Sequence, residues 1–179
     1  MDLRLCLNAT AADCEYIDGQ SYEYNSKEQT CKENTDGSCG GFRSAQDCFK
    51  RCAVLVDNKC KLPIQNITTC EEPQQRYGYN EETDQCEEFF GCADEGNSFQ
   101  EAEKCWKQCA PHHRCNMKPD TGRFPNVGFV RRYYFDIKKN RCGSAMKFSK
   151  KVPGNTNLFQ TAEECDKICK PKYQGNLGD

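Results

Sequence analysis

The sequence predicts a small disulfide-rich α+β protein built from three tandem domains, and three observations support this prediction. Sixteen of the 179 residues are cysteine. They follow three rounds of similar spacing, and the rounds end in the pairs Cys48/Cys52, Cys105/Cys109 and Cys165/Cys169. Each round spans about 55 residues, which is too short to bury a self-sufficient apolar core. Disulfide bridges are therefore expected to supply much of the stability of each domain.

We place the predicted domains at residues 1–56, 57–110 and 111–179, the last with a short C-terminal tail. An even number of cysteines at this density is typical of an oxidising compartment, which predicts a secreted, extracellular protein. Sequons at Asn8 and Asn66 fit the same route and are candidate N-glycosylation sites. No apolar run is long enough to suggest a membrane span.

Each domain is predicted to contain a twisted β-hairpin. Aromatic residues alternate at the period of a strand in Tyr22/Tyr24, Tyr77/Tyr79 and Tyr133/Phe135. A polar turn and then a cysteine follow each of these pairs. This order predicts a strand, a turn and a second strand.

A short C-terminal helix is predicted over each of the three cysteine pairs. Ser44 with Asp47, and Thr161 with Glu164, have the pattern of a helix N-cap followed three residues later by an acid. The second domain has Glu101 at the cap position, so it loses this cap. Cysteines at positions i and i+4 share one face of a helix. One can therefore bridge to the amino-terminal arm and its neighbour to the hairpin.

The charge of the chain is strongly polarised, although its net value is only −2. The first predicted domain has a net charge of −3, the second has five basic against twelve acidic residues (−7), and the third has fourteen against six (+8). A basic patch is predicted in the third domain at Arg131, Arg132, Lys138, Lys139 and Arg141. Such a cluster favours an anionic partner, for example an anionic glycan, while the alternative is a surface that merely keeps a small domain soluble.

The composition argues against a metal site and against catalysis. Structural zinc needs four clustered thiolate or imidazole ligands, and the two histidines, His112 and His113, lie in the linker before Cys115, the first cysteine of the third domain. With no histidine between the first and last cysteines of any domain and the cysteines assigned to bridges, no base is present to activate a nucleophile. We therefore expect no enzyme activity, no metal and no cofactor, and nothing in the sequence predicts a nucleic-acid partner.

The chain resembles the Kunitz (pancreatic trypsin inhibitor) family over about residues 6–52, 60–109 and 115–169. The most specific segments lie at 21–25, 76–80 and 132–136, with further similarity at 96–99, 154–159 and 163–165. The resemblance implies three Kunitz-like domains whose cysteines pair first with sixth, second with fourth and third with fifth. The implied bridges are Cys6–Cys52, Cys14–Cys39, Cys31–Cys48, Cys60–Cys109, Cys70–Cys92, Cys86–Cys105, Cys115–Cys169 and Cys142–Cys165. The third domain lacks the bridge that pins the family's protease-binding loop.

Kunitz proteins usually inhibit serine proteases by presenting that loop like a substrate. The residue after the second cysteine enters the specificity pocket, and the next residue is normally Gly or Ala. The resemblance places Glu15 and Tyr16 at these positions in the first domain, and Glu71 and Glu72 in the second. An acid cannot pair with the acidic floor of a trypsin-like pocket, and burying it unpaired costs on the order of several kcal/mol. The resemblance therefore implies degenerate reactive loops.

The loop of the third domain departs from the family in another way. No cysteine lies near Pro125, Asn126 and Val127, so this loop is expected to be looser than its counterparts.

With several Kunitz-like domains and altered loops, the chain is most similar to the multi-domain Kunitz proteins of tick saliva and to tissue-factor-pathway-inhibitor-like proteins. This resemblance implies a secreted antagonist that binds a host plasma defence protein through exosite or other protein–protein contacts. The acidic second domain favours a coagulation protease with a basic exosite, whereas the loss of the inhibitory loops favours a complement component or regulator. The alternative is a serine-protease inhibitor that uses the Glu15 or Glu71 loop.

Overall fold

The computed structural model describes residues 3–7, 21–35, 41–55, 57–62, 64, 72–93 and 96–173. In this part of the chain, the strands form three two-stranded sheets, and an eight-residue helix follows each sheet. A short helix α1 (Arg4–Leu7) precedes β1 (Ser21–Asn25), β2 (Thr30–Asn34) and α2 (Ala45–Cys52). The second repeat contains β3 (Gln74–Asn80), β4 (Gln85–Gly91) and α3 (Ala102–Cys109), and the third contains β5 (Val130–Asp136), β6 (Arg141–Lys147) and α4 (Ala162–Cys169). The predicted α+β class and the order of hairpin and helix are confirmed.

Disulfide bridges tie the helices to the rest of each repeat. They join Cys6 to Cys52, Cys31 to Cys48, Cys86 to Cys105, Cys115 to Cys169 and Cys142 to Cys165. These are the partners that the resemblance implies. Cys60, Cys92 and Cys109 are disulfide-bonded as well. Cys14, Cys39 and Cys70 lie outside the described residues, and the remaining implied pairings stay predictions.

The starts of the helices agree with the sequence pattern. The Ser44 hydroxyl accepts a hydrogen bond from the Asp47 amide at 3.1 Å, and the Thr161 hydroxyl accepts one from the Glu164 amide at 3.1 Å. Glu101 occupies the N-cap position of α3 and makes no side-chain capping bond. The predicted caps of α2 and α4, and the loss of the cap at α3, are therefore confirmed.

Each hairpin is linked to the segment before its helix by one pair of aromatic residues. The backbones of Tyr22 and Phe42 exchange two hydrogen bonds, at 2.9 and 3.2 Å. The same exchange joins Tyr77 to Phe99 and Tyr133 to Phe159. Because both partners are fixed at the backbone, the buried Phe side chains enter the core at a defined register, while the Tyr side chains are half-buried.

The described residues fall into two compact units: residues up to 76 with 89–98, and residues 77–88 with 99–173. The core of the first unit is rich in sulfur and aromatic rings. It consists of Cys6, Tyr24, Cys31, Phe42, Ala45, Cys48, Phe49, Cys52 and Leu62. Since both units include residues from 57–110, the domain boundaries proposed from the sequence stay predictions.

The second unit buries the largest side chains of the second and third repeats. Trp106 and Phe159 are fully buried, and Leu158 and Phe135 are 1% exposed. Trp106 packs against the His113 ring at a centroid distance of 4.8 Å. This core fixes β5, β6 and the segments that connect them, and so it positions the surfaces considered next.

Candidate interaction surfaces

The reactive loops of the first two repeats lie almost wholly outside the described residues. Those outside are Glu15, Tyr16 and Glu71, together with the sequon residues Asn8 and Asn66. Glu72 is described and is exposed, two residues before β3 begins. The proposed roles of these positions remain predictions.

The second repeat presents an acidic turn between β3 and β4. Glu81 and Glu82 are exposed at this turn. Glu87, by contrast, is only 7% exposed, and its carboxylate accepts a hydrogen bond from the side-chain Nδ2 of Asn80 at 2.9 Å. Glu87 therefore supports the hairpin, while Glu81 and Glu82 are available to a partner.

The acidic character of this turn also affects Tyr79. Its hydroxyl donates a hydrogen bond to the Asp84 carboxylate at 2.6 Å. Burial, this hydrogen bond and the negative charges of Asp84 and Glu81 raise the pKa of Tyr79 to about 12. Tyr79 thus remains protonated at physiological pH and restrains the carboxylate of Asp84.

The five residues of the predicted basic patch divide into two groups. Arg131 and Arg132 lie near the start of β5, and Lys138, Lys139 and Arg141 lie at the turn and at the first residue of β6. The strand register pairs Arg131 with Met146 but Asp136 with Arg141. The groups are therefore separated by most of the length of a seven-residue strand, about 17 Å at the usual rise per residue.

The guanidinium group of Arg132 is held by two hydrogen bonds within the protein. Its Nη1 and Nη2 atoms donate to the backbone oxygens of Arg131 and Lys150, at 2.9 and 2.6 Å. Arg132 thus fixes the chain after β6 at Lys150. The Lys139 ammonium group also has a partner within the protein, since it lies 3.5 Å from the Asp136 carboxylate.

The loop of residues 119–129 in the third repeat is held to β6 without a disulfide. The Met146 amide donates to the Pro125 oxygen at 2.7 Å, and the Phe129 amide donates to the Lys147 oxygen at 3.0 Å. A Cβ on Gly128 would lie 2.5 Å from the carbonyl carbon of Lys147, so only glycine allows this close approach. Backbone contacts thus restrain this loop. The expectation that it is looser than its counterparts stays a prediction, because those loops lie almost wholly outside the described residues.

Lys147 strengthens the same attachment from its side chain. Its ammonium group donates to the Asp120 backbone oxygen at 3.1 Å and lies 3.7 Å from the Asp120 carboxylate. The Thr156 hydroxyl donates to the other carboxylate oxygen at 3.1 Å. The carboxylate of Asp120 is therefore already engaged inside the protein.

This loop and the end of β6 expose four large apolar side chains, which we name the apolar patch. Phe124, Val127, Phe129 and Phe148 are 61%, 52%, 84% and 63% exposed. The Phe129 and Phe148 rings meet edge to face at 5.5 Å between centroids. Sequence reasoning missed this patch. The available signal was the presence of large apolar residues at 124, 127, 129 and 148 in a stretch that is otherwise rich in Lys and Arg.

Sequence reasoning also missed which residues of the third repeat align with Glu71 and Glu72 of the second. In the second repeat, Glu71 stands five residues before Arg76, and the residue five before Arg132 in the third repeat is Val127. Gly128 follows Val127. The third repeat therefore has an apolar residue and then a glycine where the second repeat has two acids, and comparing the repeats with one another would have found it.

Two further observations bear on the kind of site. Within the described residues, no helix is long and apolar enough to cross a membrane. In the same part of the chain, no group of three or more His, Cys, Asp or Glu residues is arranged to hold a metal ion.

Comparison with known proteins identifies the class of protein. The model of the Kunitz/bovine pancreatic trypsin inhibitor domain matches residues 59–110 and 114–170. The chain therefore belongs to the Kunitz family and contains tandem Kunitz domains.

Three relatives illustrate the range of the family. Haemaphysalin of Haemaphysalis longicornis is 34% identical over 119 residues, which is 63% of this chain and 72% of that protein. Bovine tissue factor pathway inhibitor 2 is 29% identical over 83% of this chain and 66% of its own length. The Actinia tenebrosa protease inhibitors are 26% identical over 89% of this chain, and the chain spans 63% of their length.

Proposed function

We propose that this protein is secreted and antagonises a coagulation protease of a host by binding outside the protease's active-site cleft. One observation carries the proposal: Glu15-Tyr16 and Glu71-Glu72 follow Cys14 and Cys70. In a Kunitz domain these positions face the protease. An acid there conflicts with a trypsin-like pocket, and coagulation proteases prefer basic residues at this position.

The acidic turn of the second repeat supports contact at a basic exosite. Glu81 and Glu82 are exposed, and the predicted second domain has a net charge of −7. Complementary charge steers association and fixes orientation more than it adds affinity. The names of two relatives, tissue factor pathway inhibitor and tissue factor pathway inhibitor 2, favour coagulation over other plasma systems.

The proposal is tested by comparing small and macromolecular substrates. We expect prolonged plasma clotting but little inhibition of trypsin, thrombin or factor Xa towards small chromogenic substrates, because the catalytic cleft stays open. Strong inhibition of chromogenic cleavage that is lost on Glu15→Ala or Glu71→Ala would contradict the proposal. It would instead support the alternative of an acid-directed inhibitory loop. Complement lysis is measured in parallel, and inhibition of lysis without any effect on clotting would assign the partner to complement.

A charge-reversal pair locates the contact. Glu81→Lys with Glu82→Lys changes the exposed turn, while Glu23→Lys with Glu33→Lys makes the same charge change on the first hairpin, where both residues are exposed. Glu87 is left unchanged because it is buried. We expect the first pair, but not the second, to slow association and to weaken the effect on clotting. Equal effects of both pairs would show that net charge, rather than the acidic turn, is responsible.

A second candidate function is substrate-like inhibition by the third repeat. Val127 followed by Gly128 favours it, because a protease with an apolar pocket accepts Val and the glycine avoids a clash. An elastase-type protease is the appropriate probe. Inhibition that is lost on Val127→Asp and unchanged by Glu71→Ala would establish this function.

A further inference from the structure

The apolar patch is exposed and held in place by the protein. Two backbone hydrogen bonds join residues 125 and 129 to Met146 and Lys147. Phe129 is 84% exposed, yet its ring keeps an edge-to-face contact with Phe148. Clustered exposed apolar residues on a soluble domain mark a site that meets another molecule or a membrane. Because the loop is already fixed, little conformational entropy would be lost on binding.

The border of the patch is basic. Arg123, Arg131, Lys150 and Lys151 are exposed and lie within three residues of a patch residue in the sequence. The Arg123 guanidinium lies 5.4 Å from the centroid of the Phe124 ring. The strand register places Arg131 opposite Met146, two residues along from both Phe129 and Phe148. Residues two apart on a strand share a face. Apolar and basic side chains are thus presented together.

Acidic residues are missing from the same stretch of sequence. Between Asp120 and Glu163 the only acid is Asp136, which pairs with Lys139 at the far end of the hairpin. The carboxylate of Asp120 is held by Lys147 and Thr156. The residues of this stretch that flank the patch therefore carry positive charge, and its two acids, Asp120 and Asp136, are engaged within the protein.

The side-chain types distinguish between anionic partners. A sulfated glycan offers no apolar region for Phe124, Phe129 and Phe148. Protein interfaces are enriched in aromatic residues, Met and Arg but depleted in lysine. The three Phe side chains therefore suit either a protein or a bilayer, whereas two of the four border residues are lysine and favour the bilayer. Apolar side chains flanked by Lys and Arg match the interface of an anionic bilayer, in which rings enter the headgroup region and cations meet phosphates.

We propose that the apolar patch and its basic border dock this protein onto an anionic phospholipid surface. The four apolar side chains enter the headgroup region, and Arg123, Arg131, Lys150 and Lys151 contact lipid phosphates. This inference is independent of the proposed action on coagulation, since it rests on a different surface and has its own readout.

The test measures binding of the full-length, disulfide-bonded chain to vesicles. Mixed phosphatidylserine and phosphatidylcholine vesicles are expected to bind it, and pure phosphatidylcholine vesicles to bind it far more weakly. Phe129→Ser with Phe148→Ser should lower the affinity for these vesicles at least about tenfold, because two aromatic rings are no longer transferred from water into the bilayer. Tyr173→Ser is the matched control, since Tyr173 is 60% exposed but outside the patch, and it should have no effect.

A second pair of variants separates the border from general charge. Lys150→Glu with Lys151→Glu should lower affinity at least about tenfold. Lys138→Glu with Lys139→Glu changes the net charge equally at the other end of the hairpin and should have a much smaller effect. Equal losses from both pairs would overturn the proposal, as would binding that is insensitive to the Phe substitutions.

A depth measurement completes the test. Brominated lipids should quench the tryptophan fluorescence of the Phe129→Trp variant but not that of the Tyr173→Trp variant. The fully buried Trp106 contributes the same background fluorescence to both. Absence of vesicle binding would overturn the proposal. Retention on heparin without vesicle binding would likewise overturn it and assign the surface to a glycan.

Discussion

Asn157 satisfies both backbone hydrogen-bonding groups of Phe135. The Phe135 amide donates to Asn157 Oδ1 at 2.8 Å, and Asn157 Nδ2 donates to the Phe135 oxygen at 2.9 Å. The same Nδ2 donates to the Met117 oxygen at 2.9 Å. One fully buried side chain thus joins β5 to the segments on both sides of the third repeat.

Replacing Asn157 should strongly destabilise the third repeat. Asn157→Ala leaves the two buried backbone groups of Phe135 and the part-buried Met117 oxygen without their partner, which should lower the free energy of unfolding by about 3 kcal/mol. Asn155→Ala is the control, since Asn155 is exposed two residues away, and it should change the value by less than about 0.5 kcal/mol. Urea unfolding with the disulfides intact measures both. Similar small effects of the two variants would show that the Asn157 bonds contribute little net stability.

The capping difference between the helices predicts opposite effects at Thr161 and Glu101. Thr161→Ala removes the bond to the Glu164 amide and should lower the free energy of unfolding by about 1 kcal/mol, while Thr161→Ser retains it. Glu101→Ser should raise stability, because it adds a cap that α3 lacks. The ion pair between Glu101 and Lys104 is exposed and contributes little. A destabilised Glu101→Ser variant would contradict this account.

His113 should make stability depend on pH. Its Nδ1 accepts a hydrogen bond from the Cys115 amide at 3.1 Å, an arrangement that protonation would abolish. Burial lowers the pKa of His113, and although Asp84 opposes this effect, nearby Arg114 adds to it. The unfolded chain therefore takes up the proton more readily, and stability present above about pH 6.5 should fall as the pH drops below that value.

A matched replacement isolates this effect. Asn58 caps the Cys60 amide at 3.0 Å in the second repeat, so His113→Asn should keep the cap but remove the titration. The fall in stability below about pH 6.5 should become smaller in this variant and persist in His112→Gln. A titration of the imidazole by NMR with a midpoint at or above 6.5 would contradict the lowered pKa.

Gly128 should be required for the attachment of the 119–129 loop. Gly128 has φ +154°, and a Cβ there would meet the Lys147 backbone, so Gly128→Ala should push the loop away. Hydrogen exchange at the Phe129 and Met146 amides, which bond across this contact, should then accelerate. Gly154→Ala is the control, because Gly154 also has positive φ (+88°) but open space around it. If hydrogen exchange at these amides accelerates equally in both variants, the strain of a positive φ, and not the close contact with Lys147, is the cause.

Much of the fold could be predicted from the sequence because it depends on local patterns. Alternating aromatic residues such as Tyr133 and Phe135 favour a strand through their local spacing. Thr161 followed by Glu164 favours a helix cap without contacts from distant segments. The cysteine spacing, read with the family resemblance, also implied the partners of Cys115 and Cys142. These features need only neighbouring residues or a known pairing scheme.

The interaction surfaces depend on contacts between distant segments, and there the sequence was less informative. Five basic residues within eleven positions suggested one patch, but the register of β5 and β6 sends them to opposite ends, and Arg132 bonds to the chain at Lys150. A missing cysteine suggested a looser loop, but no local pattern showed the close approach of Gly128 to the Lys147 backbone, which restrains it.

The sequence by itself therefore determined the class, the repeats and the helix caps of this protein. Only the tertiary structure decided which side chains meet at its surface. Phe129 and Phe148 are nineteen residues apart in the sequence, and they touch because the hairpin folds back and backbone hydrogen bonds set the register between its ends. No local propensity encodes such a meeting, since it follows from the pairing of whole strands.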